Sequence, residues 1–266
     1  MTNVIGDWGF SNRLNRIIQP KSGRCVMLAI DHGYFGNIPG QLKDFKNLAP
    51  LFEYADALML TRGMLRNCVP AETNKPIILR VSAGASMLKE LSNEEISVTV
   101  DDAIRLNVSA LTCSIFVGGE YEKQSLLNLS KLVNWGQQYG IPTLAVTAVG
   151  REMVRDARYL GMASRMAAEM GATMVKTYFC DPDFDQVTGI CPSPVVIAGG
   201  KKIPERDALQ MSKSAVDQGA VGVDMGRNIF QSDSPIGMIK AVRAIVHDKA
   251  SVDEAFEIYK NGPKGL

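Results

Sequence analysis

The chain has 266 residues, 46% of them hydrophobic and 21% charged, and its formal net charge is +1. This length suits one barrel of alternating strands and helices, and the composition is that of a folded globular protein. Because 29 Lys and Arg residues are spread among 28 Asp and Glu residues, neither nucleic acid nor a membrane surface is expected as a partner.

The N-terminal segment, about residues 1–23, begins MTNVIGDWGFSNRLNR and has no apolar stretch of the kind found in signal peptides. No apolar run in the sequence approaches the roughly 18 residues that span a bilayer. Five cysteines, an odd number without a C-x-x-C pair, are typical of reduced thiols. We therefore expect a cytoplasmic protein. Two histidines without H-x-x-x-H spacing leave little for a transition-metal site, and no metal is expected.

Eight apolar runs rich in Val, Ile, Leu and Met follow one another along the chain. They do not alternate cleanly between polar and apolar residues, which is typical of parallel strands covered on both faces. The runs are residues 24–33, 54–63, 75–84, 108–119, 141–150, 171–179, 193–200 and 219–227.

Helical patterns fill most of the gaps between these runs. Eight strand-then-helix units predict an α/β fold, a closed (β/α)8 TIM barrel in a single domain spanning residues 1–266. The alternative, a doubly wound sheet, would require G-x-G-x-x-G after the first strand, and AIDHGYFG does not supply it. The helical segments are about 44–54, 101–107, 122–139, 151–170, 204–218 and 234–247, with a C-terminal helix at about 251–260; their start signals are Asp44, Asp101, Pro204 and Pro235, and their stop signals Gly140, Gly171 and Gly219.

The sixth run, GATMVKTYF, places a lysine inside an apolar strand. Lys176 precedes Tyr178 by two residues, so both side chains point to the same side of the strand. Burying an ammonium group is costly, whereas an amine that burial keeps neutral attacks a ketone and forms a Schiff base. The alternative is an interior lysine paired with a carboxylate for structure alone. Because chemistry gathers at strand ends in such barrels, we predict that Lys176 and Tyr178 are catalytic.

Three further polar residues lie at the ends of the first and third strands. Asp31 ends the first strand, where its carboxylate either pairs with Lys176 or acts as a general acid/base; a helix cap or a structural salt bridge is the alternative. His32 points to the other side and is expected to be structural. Arg80 is expected to pair with an acid in the barrel mouth and to support the site.

Two glycine-containing loops, IAGGKK and GRNIFQ, follow the seventh and eighth strands. Gly199 and Gly200 let backbone N–H groups approach an anion closely, and the helix start after the glycines adds its dipole. Gly226 and Arg227 lie in the other loop, where the guanidinium can hold a phosphate by two hydrogen bonds. Because loops seven and eight form the recurrent phosphate site of this architecture, the sequence predicts a phosphorylated ligand.

Cys180 and Cys191 flank the loop after the sixth strand. A nucleophilic thiolate is one interpretation. We expect instead that both are small apolar residues of the protein interior.

Seven blocks of the sequence resemble a known family: VMLAIDHGYF, RGMLRNCVP, LSNEEISVTVDDAIRLN, MVRDARY, AAEMGATMVKTYF, PVVIAGGKKIPER and GVDMGRNIFQSDSP. In this order they look like the archaeal-type class I aldolases of the DeoC/FbaB family, and the likeness extends from about Trp8 to Tyr259. It implies a barrel, a reactive lysine at Lys176, an acid/base aspartate at Asp31 and ring-like oligomers such as decamers. It also implies a phosphate site around Gly199, Gly200, Gly226 and Arg227.

One departure separates this sequence from the family's bisphosphate aldolases. Those enzymes carry Trp-x-Tyr at the end of strand five, the Tyr being the proton donor, and here the segment reads Val146-Thr147-Ala148. The departure agrees with a thiolase branch of the family, although the loop GYFGNIPGQLKDF is shorter than in that branch.

For the thiolase branch, the resemblance implies transfer of an acetyl group from a phosphorylated pentane-dione to coenzyme A. Coenzyme A is then a co-substrate, and no cofactor is expected to stay bound. Two alternatives remain: a class I aldolase that acts on a phosphorylated keto-sugar, and a non-catalytic barrel that binds a phosphosugar.

Overall fold

Eight parallel strands close into a barrel in which sequence neighbours pair and the first strand pairs with the last. The computed structural model describes residues 7–36, 38, 40–43, 45–148 and 154–265. The predicted α/β fold, a (β/α)8 TIM barrel, is confirmed, and each of the eight apolar runs contains one barrel strand. The strands β1 to β8 are Cys25–Ala29, Ala57–Thr61, Ile77–Arg80, Ala110–Ile115, Thr143–Thr147, Met174–Tyr178, Val195–Ala198 and Gly222–Met225.

Helices surround the barrel, and most of them lie where the sequence pattern placed them. The helices α1 to α11 are Trp8–Ile17, Ala49–Phe52, Arg62–Cys68, Val100–Arg105, Glu122–Tyr139, Ala157–Glu169, Phe184–Ile190, Glu205–Asp217, Arg227–Phe230, Pro235–Asp248 and Val252–Lys260. None of these described helices combines the length and the apolarity that a membrane crossing demands.

The helix boundaries differ from the sequence prediction at several places. Asp101 lies inside α4, which is capped instead by the Thr99 side chain accepting from the Asp102 N–H. Helix α6 begins only after Asp156, whose side chain caps it, while predicted residues 151–153 and the start signal Asp44 lie outside the described residues. Helices α1, α3, α7 and the short α9 lie outside the predicted helical segments. The second apolar run continues directly into α3, and this hides the helix start.

Helix α1 closes the end of the barrel at which the strands begin. It starts at Asp7, whose carboxylate accepts from the Phe10 N–H at 2.8 Å. Leu14 and Ile17 are buried in one cluster with Met27 and other side chains that fill the barrel interior. Burial of this apolar face stabilises the short helix. The opposite end of the barrel, where the strands finish, is therefore the end that is left for a site.

Closure of the barrel depends on one close approach between β8 and β1. A Cβ atom added at Gly222 would lie 1.8 Å from the carbonyl oxygen of Cys25. Because no side chain fits at that distance, glycine at this position allows the first and last strands to pair.

Candidate active site

A cavity of about 190 Å³ lies at the end of the barrel where the strands finish. This end is the usual location of active sites in (β/α)8 barrels. Every site residue predicted from the sequence lines this cavity: Lys176, Asp31, Tyr178, Gly199, Gly200, Gly226, Arg227, Arg80 and His32.

The lysine on β6 forms a buried ion pair with an aspartate on β8. Lys176 Nζ lies 2.9 Å from Asp224 Oδ2, and the two side chains are 9% and 0% exposed. Burial raises the pKa of the Asp224 carboxyl above its ordinary value, and the nearby Lys176 offsets this only in part. A carboxylate with increased proton affinity is suited to take the proton of the lysine. The pair therefore places the Lys176 amine directly beside a carboxylate of increased proton affinity in the cavity.

Asp31 is held by Arg80, not by the lysine. Arg80 Nε donates to Asp31 Oδ2 at 3.0 Å, and both side chains are buried. Burial alone would raise the pKa of Asp31, but the charges of Arg80 and Lys176 lower it below its ordinary value. The ion pair that we considered between Asp31 and Lys176 is absent, because each has another partner, and Asp31 is stabilised as an anion.

A hydrogen-bond network that the sequence analysis missed forms one wall of the cavity. The Tyr34 hydroxyl donates to Glu94 Oε1 at 2.9 Å, and the Ser82 hydroxyl donates to Glu94 Oε2 at 2.6 Å. Arg80 Nη1 donates to Ser114 Oγ at 2.8 Å, and its guanidinium lies 4.9 Å from the centre of the Tyr34 ring. Tyr34 thus brings a phenol into the site from the loop after β1.

The position of Glu94 depends on a small structure inserted between β3 and β4. Residues Ser82–Ala83 and Glu95–Ile96 form a short antiparallel pair, which brings this loop to the end of the barrel. The Glu94 carbonyl also accepts from Asn128 Nδ2 of α5 at 2.8 Å. Only the placement of Tyr34 three residues after Asp31 was a signal in the sequence, because Glu94 lies far from any strand end.

Tyr178 and His32 lie on the wall of the cavity that is nearer to the loops after β7 and β8, which the sequence analysis assigned to phosphate. The guanidinium of Arg155 lies 3.7 Å from the centre of the Tyr178 ring. His32 was expected to point away from the site, but it lines the cavity, with its ring edge-on to Phe230 at a centroid distance of 5.8 Å. Burial lowers the pKa of His32 to about 4. The imidazole is therefore neutral at pH 7.

The loops after β7 and β8 are held together by one side chain. Asn228 Nδ2 donates to the carbonyl of Gly199, and Asn228 Oδ1 accepts from the Ile203 N–H at 2.9 Å. A Cβ atom at Gly226 would lie 2.2 Å from the carbonyl oxygen of Ala29, so this backbone must pass close to β1. The bridge fixes the spacing of the two loops that the sequence assigns to phosphate.

Arg227 supplies the positive charge at these loops. Its Nε is buried and has no hydrogen-bond partner among the residues that the structure describes. Burial lowers the pKa of the Arg227 guanidinium. Tyr178 acts in the opposite direction and raises this pKa, whereas the charge of Arg155 lowers it further. A guanidinium remains charged in proteins, and a buried donor without a partner is costly. An anion bound here would satisfy it.

Up to residue 148, where the described part of this segment stops, the end of β5 contributes no acid to the cavity. Thr147 Oγ1 donates to Thr177 Oγ1 at 2.8 Å. The phenols that line the cavity come instead from Tyr34 and Tyr178.

The two cysteines near β6 do not reach the cavity. Burial raises the pKa of both the Cys180 and Cys191 thiols. Raised values disfavour thiolates, and the Cys191 thiol donates to the Ser164 and Ser193 carbonyls.

Comparison with known proteins identifies the family. A family model described as DeoC/LacD family aldolase matches residues 25–232. The chain belongs to this family. The resemblance found in the sequence is thereby confirmed, and the protein is an enzyme.

Two members of this aldolase family share more than half of the residues of the chain. A 3-hydroxy-5-phosphonooxypentane-2,4-dione thiolase of Enterobacter sp. (strain 638) is 56% identical over 260 residues, which are 97% of this chain and 88% of that relative. The protein of the same name from Escherichia coli (strain K12) is 55% identical over 254 residues, which are 95% of this chain and 87% of its own length.

Solved structures of aldolases share the barrel. A Schiff-base-forming fructose-1,6-bisphosphate aldolase matches with a TM-score of 0.80 and 22% identity, over 89% of this chain and 99% of that one. At this identity the match supports the fold alone.

Proposed function

We propose that this chain is a 3-hydroxy-5-phosphonooxypentane-2,4-dione thiolase, which transfers an acetyl group from that phosphorylated dione to coenzyme A. One observation supports this most strongly: the Lys176–Asp224 pair lies in the same cavity as Arg227 and the glycines of loops seven and eight. A reactive amine and an anion site are thus close enough to act on one small phosphorylated ketone. The names of relatives at 55–56% identity agree with this substrate.

The first step of the proposed reaction uses the ion pair. Lys176 gives its proton to Asp224, and the neutral amine attacks the ketone next to the carbon that carries the phosphate. Asp224 returns this proton as the carbinolamine loses water, and a protonated imine forms. With Arg227 and Gly200 holding the phosphate, this ketone is the carbonyl nearer to the anion site, so the phosphate group positions the reacting carbon.

The second step breaks a carbon–carbon bond. The thiolate of coenzyme A adds to the distal ketone, and the bond between that carbonyl carbon and the hydroxyl-bearing carbon breaks. The electron pair moves into the imine and gives an enamine. The proton released by the thiol is returned to the enamine carbon, and hydrolysis frees Lys176. The products are acetyl-CoA and a three-carbon hydroxyketone phosphate.

The wall of the cavity opposite the loops after β7 and β8 fits the acetyl half of the substrate. Arg80 and the Tyr34 hydroxyl lie there. The Arg80 guanidinium is a hydrogen-bond donor toward an oxygen that becomes negatively charged when the thiolate adds, and the Tyr34 hydroxyl becomes a second donor when it turns from Glu94. Asp31 keeps the Arg80 guanidinium in position at 3.0 Å. In this proposal Tyr34 and Asp31 serve the proton transfers that the strand-five tyrosine serves in the bisphosphate aldolases.

A class I aldolase acting on a phosphorylated keto-sugar is the second candidate. The buried Lys176 favours it equally, because the imine and the enamine are common to both reactions. The Thr147 hydroxyl at the end of β5, which donates to Thr177, argues against the bisphosphate version.

One assay separates these candidates. Purified protein is incubated with the phosphorylated dione in the presence and absence of coenzyme A, and acetyl-CoA and three-carbon phosphate are measured. Acetyl-CoA formed only with coenzyme A supports the thiolase. Release of a three-carbon phosphate and an aldehyde from a phosphorylated keto-sugar, without coenzyme A and without turnover of the dione, indicates an aldolase. Binding of the phosphorylated compound without any turnover would indicate a non-catalytic barrel.

The proposal also includes the organisation of the protein. It takes the chain as a single barrel domain that acts in the cytoplasm as a homo-oligomer, without a permanently bound cofactor. The resemblance of the sequence to ring-forming aldolases supports the oligomer, and the measured mass in solution tests it.

A further inference from the structure

A second cavity adjoins the catalytic one. Its volume is about 500 Å³, and the side chains of Asp31, Tyr34 and Arg80 line both cavities. These three residues therefore form the boundary between the two spaces. Most of the remaining wall is apolar and includes Ile30, Leu42, Phe45, Met64 and Val98.

A cluster of arginines lies beside this second cavity. Arg62, which lines it, donates to Asp102 Oδ2 at 3.0 Å. Arg66 and Arg105 contact the same carboxylate. Three guanidiniums on one carboxylate leave two positive charges in excess, and the arginine side chains are 40%, 44% and 77% exposed. Their free N–H groups are available to an anion.

We propose that this second cavity binds the acyl acceptor coenzyme A, with its pantetheine arm inside and its phosphates on Arg62, Arg66 and Arg105. This placement rests on the proposed function. The acceptor has a long, uncharged arm that ends in the thiol and a nucleotide end that carries phosphates. The second cavity has both features: exposed guanidiniums at and beside Arg62, and an apolar wall that adjoins the boundary with the catalytic cavity.

The placement also explains how a thiol reaches the lysine-bound substrate. Of the two cavities, Lys176 and the loops assigned to phosphate line only the catalytic one. Asp31, Tyr34 and Arg80 line both. A thiol arriving from the second cavity meets the substrate at the wall assigned above to the acetyl half. The two substrates therefore approach each other from opposite sides of the Asp31–Arg80 pair.

The first test removes charge from the rim. Arg66→Gln and Arg105→Gln are combined, and Arg206→Gln is the control, because Arg206 is an exposed arginine on α8 that also pairs with a carboxylate. Loss of charge-assisted hydrogen bonds should raise KM for coenzyme A by about ten- to a hundredfold, with KM for the phosphorylated dione unchanged. Pantetheine, which lacks the nucleotide phosphates, should be used equally by the wild type and the double variant.

The second test narrows the cavity. A Cβ atom at Gly63, which lines the second cavity, meets no atom within 4 Å, and the same holds at Gly189 on α7. Gly63→Trp should therefore fold and raise KM for both coenzyme A and pantetheine at least tenfold, whereas Gly189→Trp should leave both unchanged.

The outcomes distinguish this placement from the function on which it rests. If the wild type forms acetyl-CoA but neither the double arginine variant nor Gly63→Trp changes KM for coenzyme A, the acceptor binds elsewhere and the placement is wrong. If the wild type forms no acetyl-CoA, the proposed function itself is wrong. A rise in KM for the phosphorylated dione in Gly63→Trp, with KM for coenzyme A unchanged, would assign the second cavity to the dione and would also overturn the placement.

Discussion

Lys176 and Asp224 meet across a strand: the amine on β6 reaches over β7 to the carboxylate on β8, at 2.9 Å. The strand between them contributes Val196, which is paired in register with Lys176. Because valine is apolar and the aspartate is fully buried, the carboxylate side of the pair is shielded from water, while Lys176 lines the cavity.

We predict that Lys176→Met abolishes turnover while the barrel still folds. Methionine fills the apolar position, and Asp224, whose pKa burial already raises, then becomes neutral without a cation. Rates and denaturant midpoints are measured beside Lys240→Met, which changes an exposed lysine on α10. Retention of more than a few per cent of kcat would contradict the role of Lys176.

Borohydride trapping adds an independent measurement of the lysine chemistry. With the phosphorylated ketone present, a reduced adduct should map to Lys176 by mass spectrometry, and Lys176→Met should give none. Turnover without any adduct would mean that the amine acts as a base or through its charge.

Asp224→Asn and Asp31→Asn should have different effects. Asparagine at 224 removes the group that accepts the lysine proton, so kcat should fall by about two to four powers of ten. Asparagine at 31 leaves the Arg80 cation buried without its partner and should lower the free energy of unfolding by about 3–5 kcal/mol. Single-turnover rates and denaturant titrations on both variants are the measurement. An Asp31→Asn protein of full stability and activity would exclude both roles considered for Asp31.

Arg227→Ala should weaken binding of the phosphorylated substrate more than it slows the chemistry. Loss of one charge-assisted interaction corresponds to about 1.5–3 kcal/mol, or about ten- to a hundredfold in KM. Steady-state kinetics with the dione, and inhibition by inorganic phosphate as a probe of the anion site, check this. An unchanged KM together with unchanged phosphate inhibition would place the phosphate elsewhere.

Comparison of Tyr34→Phe with Tyr178→Phe identifies the phenol that serves the reaction. The Tyr34 hydroxyl is tied to Glu94 at 2.9 Å, whereas Tyr178 presents its ring to Arg155. We expect Tyr34→Phe to lower kcat by about two powers of ten or more, as loss of an acid/base or oxyanion donor does. Because the Tyr178 ring faces Arg155, we expect Tyr178→Phe to keep most of kcat, contrary to the catalytic role that the sequence predicted for Tyr178. The reverse order of the two rates would assign proton transfer to Tyr178.

His32 should make the stability of the fold fall in mild acid. Its pKa is about 4 in the folded protein, against 6.5 ordinarily, because it is buried. The unfolded chain therefore binds more protons between these values, so stability contributed by neutral His32 is present above pH 6.5 and is lost as the pH falls toward 4. The difference between the two pKa values corresponds to about 3 kcal/mol in the free energy of unfolding. Urea titrations of wild type and His32→Gln from pH 7 to pH 4 test this, and the variant should show a flatter dependence of stability on pH.

The barrel and the ring of site residues could be predicted because both depend on local sequence. Apolar runs mark buried strands, and the residue that ends each run lies at the site whatever its neighbours are. This reasoning placed Lys176, Arg227 and seven other residues around one cavity.

The partners of these residues could not be predicted in the same way. Asp224 belongs to the last strand, and its contact with Lys176 follows from the strand order and stagger of the closed barrel, which one sequence does not specify. Glu94 enters the site from a loop whose only regular structure is a pair of two-residue strands. The sequence therefore predicts many of the residues that line the site, but not Glu94 and not which acid accompanies which base.

Closure of the strand-start end of the barrel by α1 has a consequence for the kinetics of the enzyme. Leu14 and Ile17 seal the strand-start end of the barrel, so the chamber around Lys176 opens only toward the end where the strands finish. Any fragment left there after bond cleavage has to depart through the entrance by which the next substrate arrives. The three-carbon phosphate should consequently inhibit in competition with the phosphorylated dione, and its accumulation slows the enzyme by blocking entry.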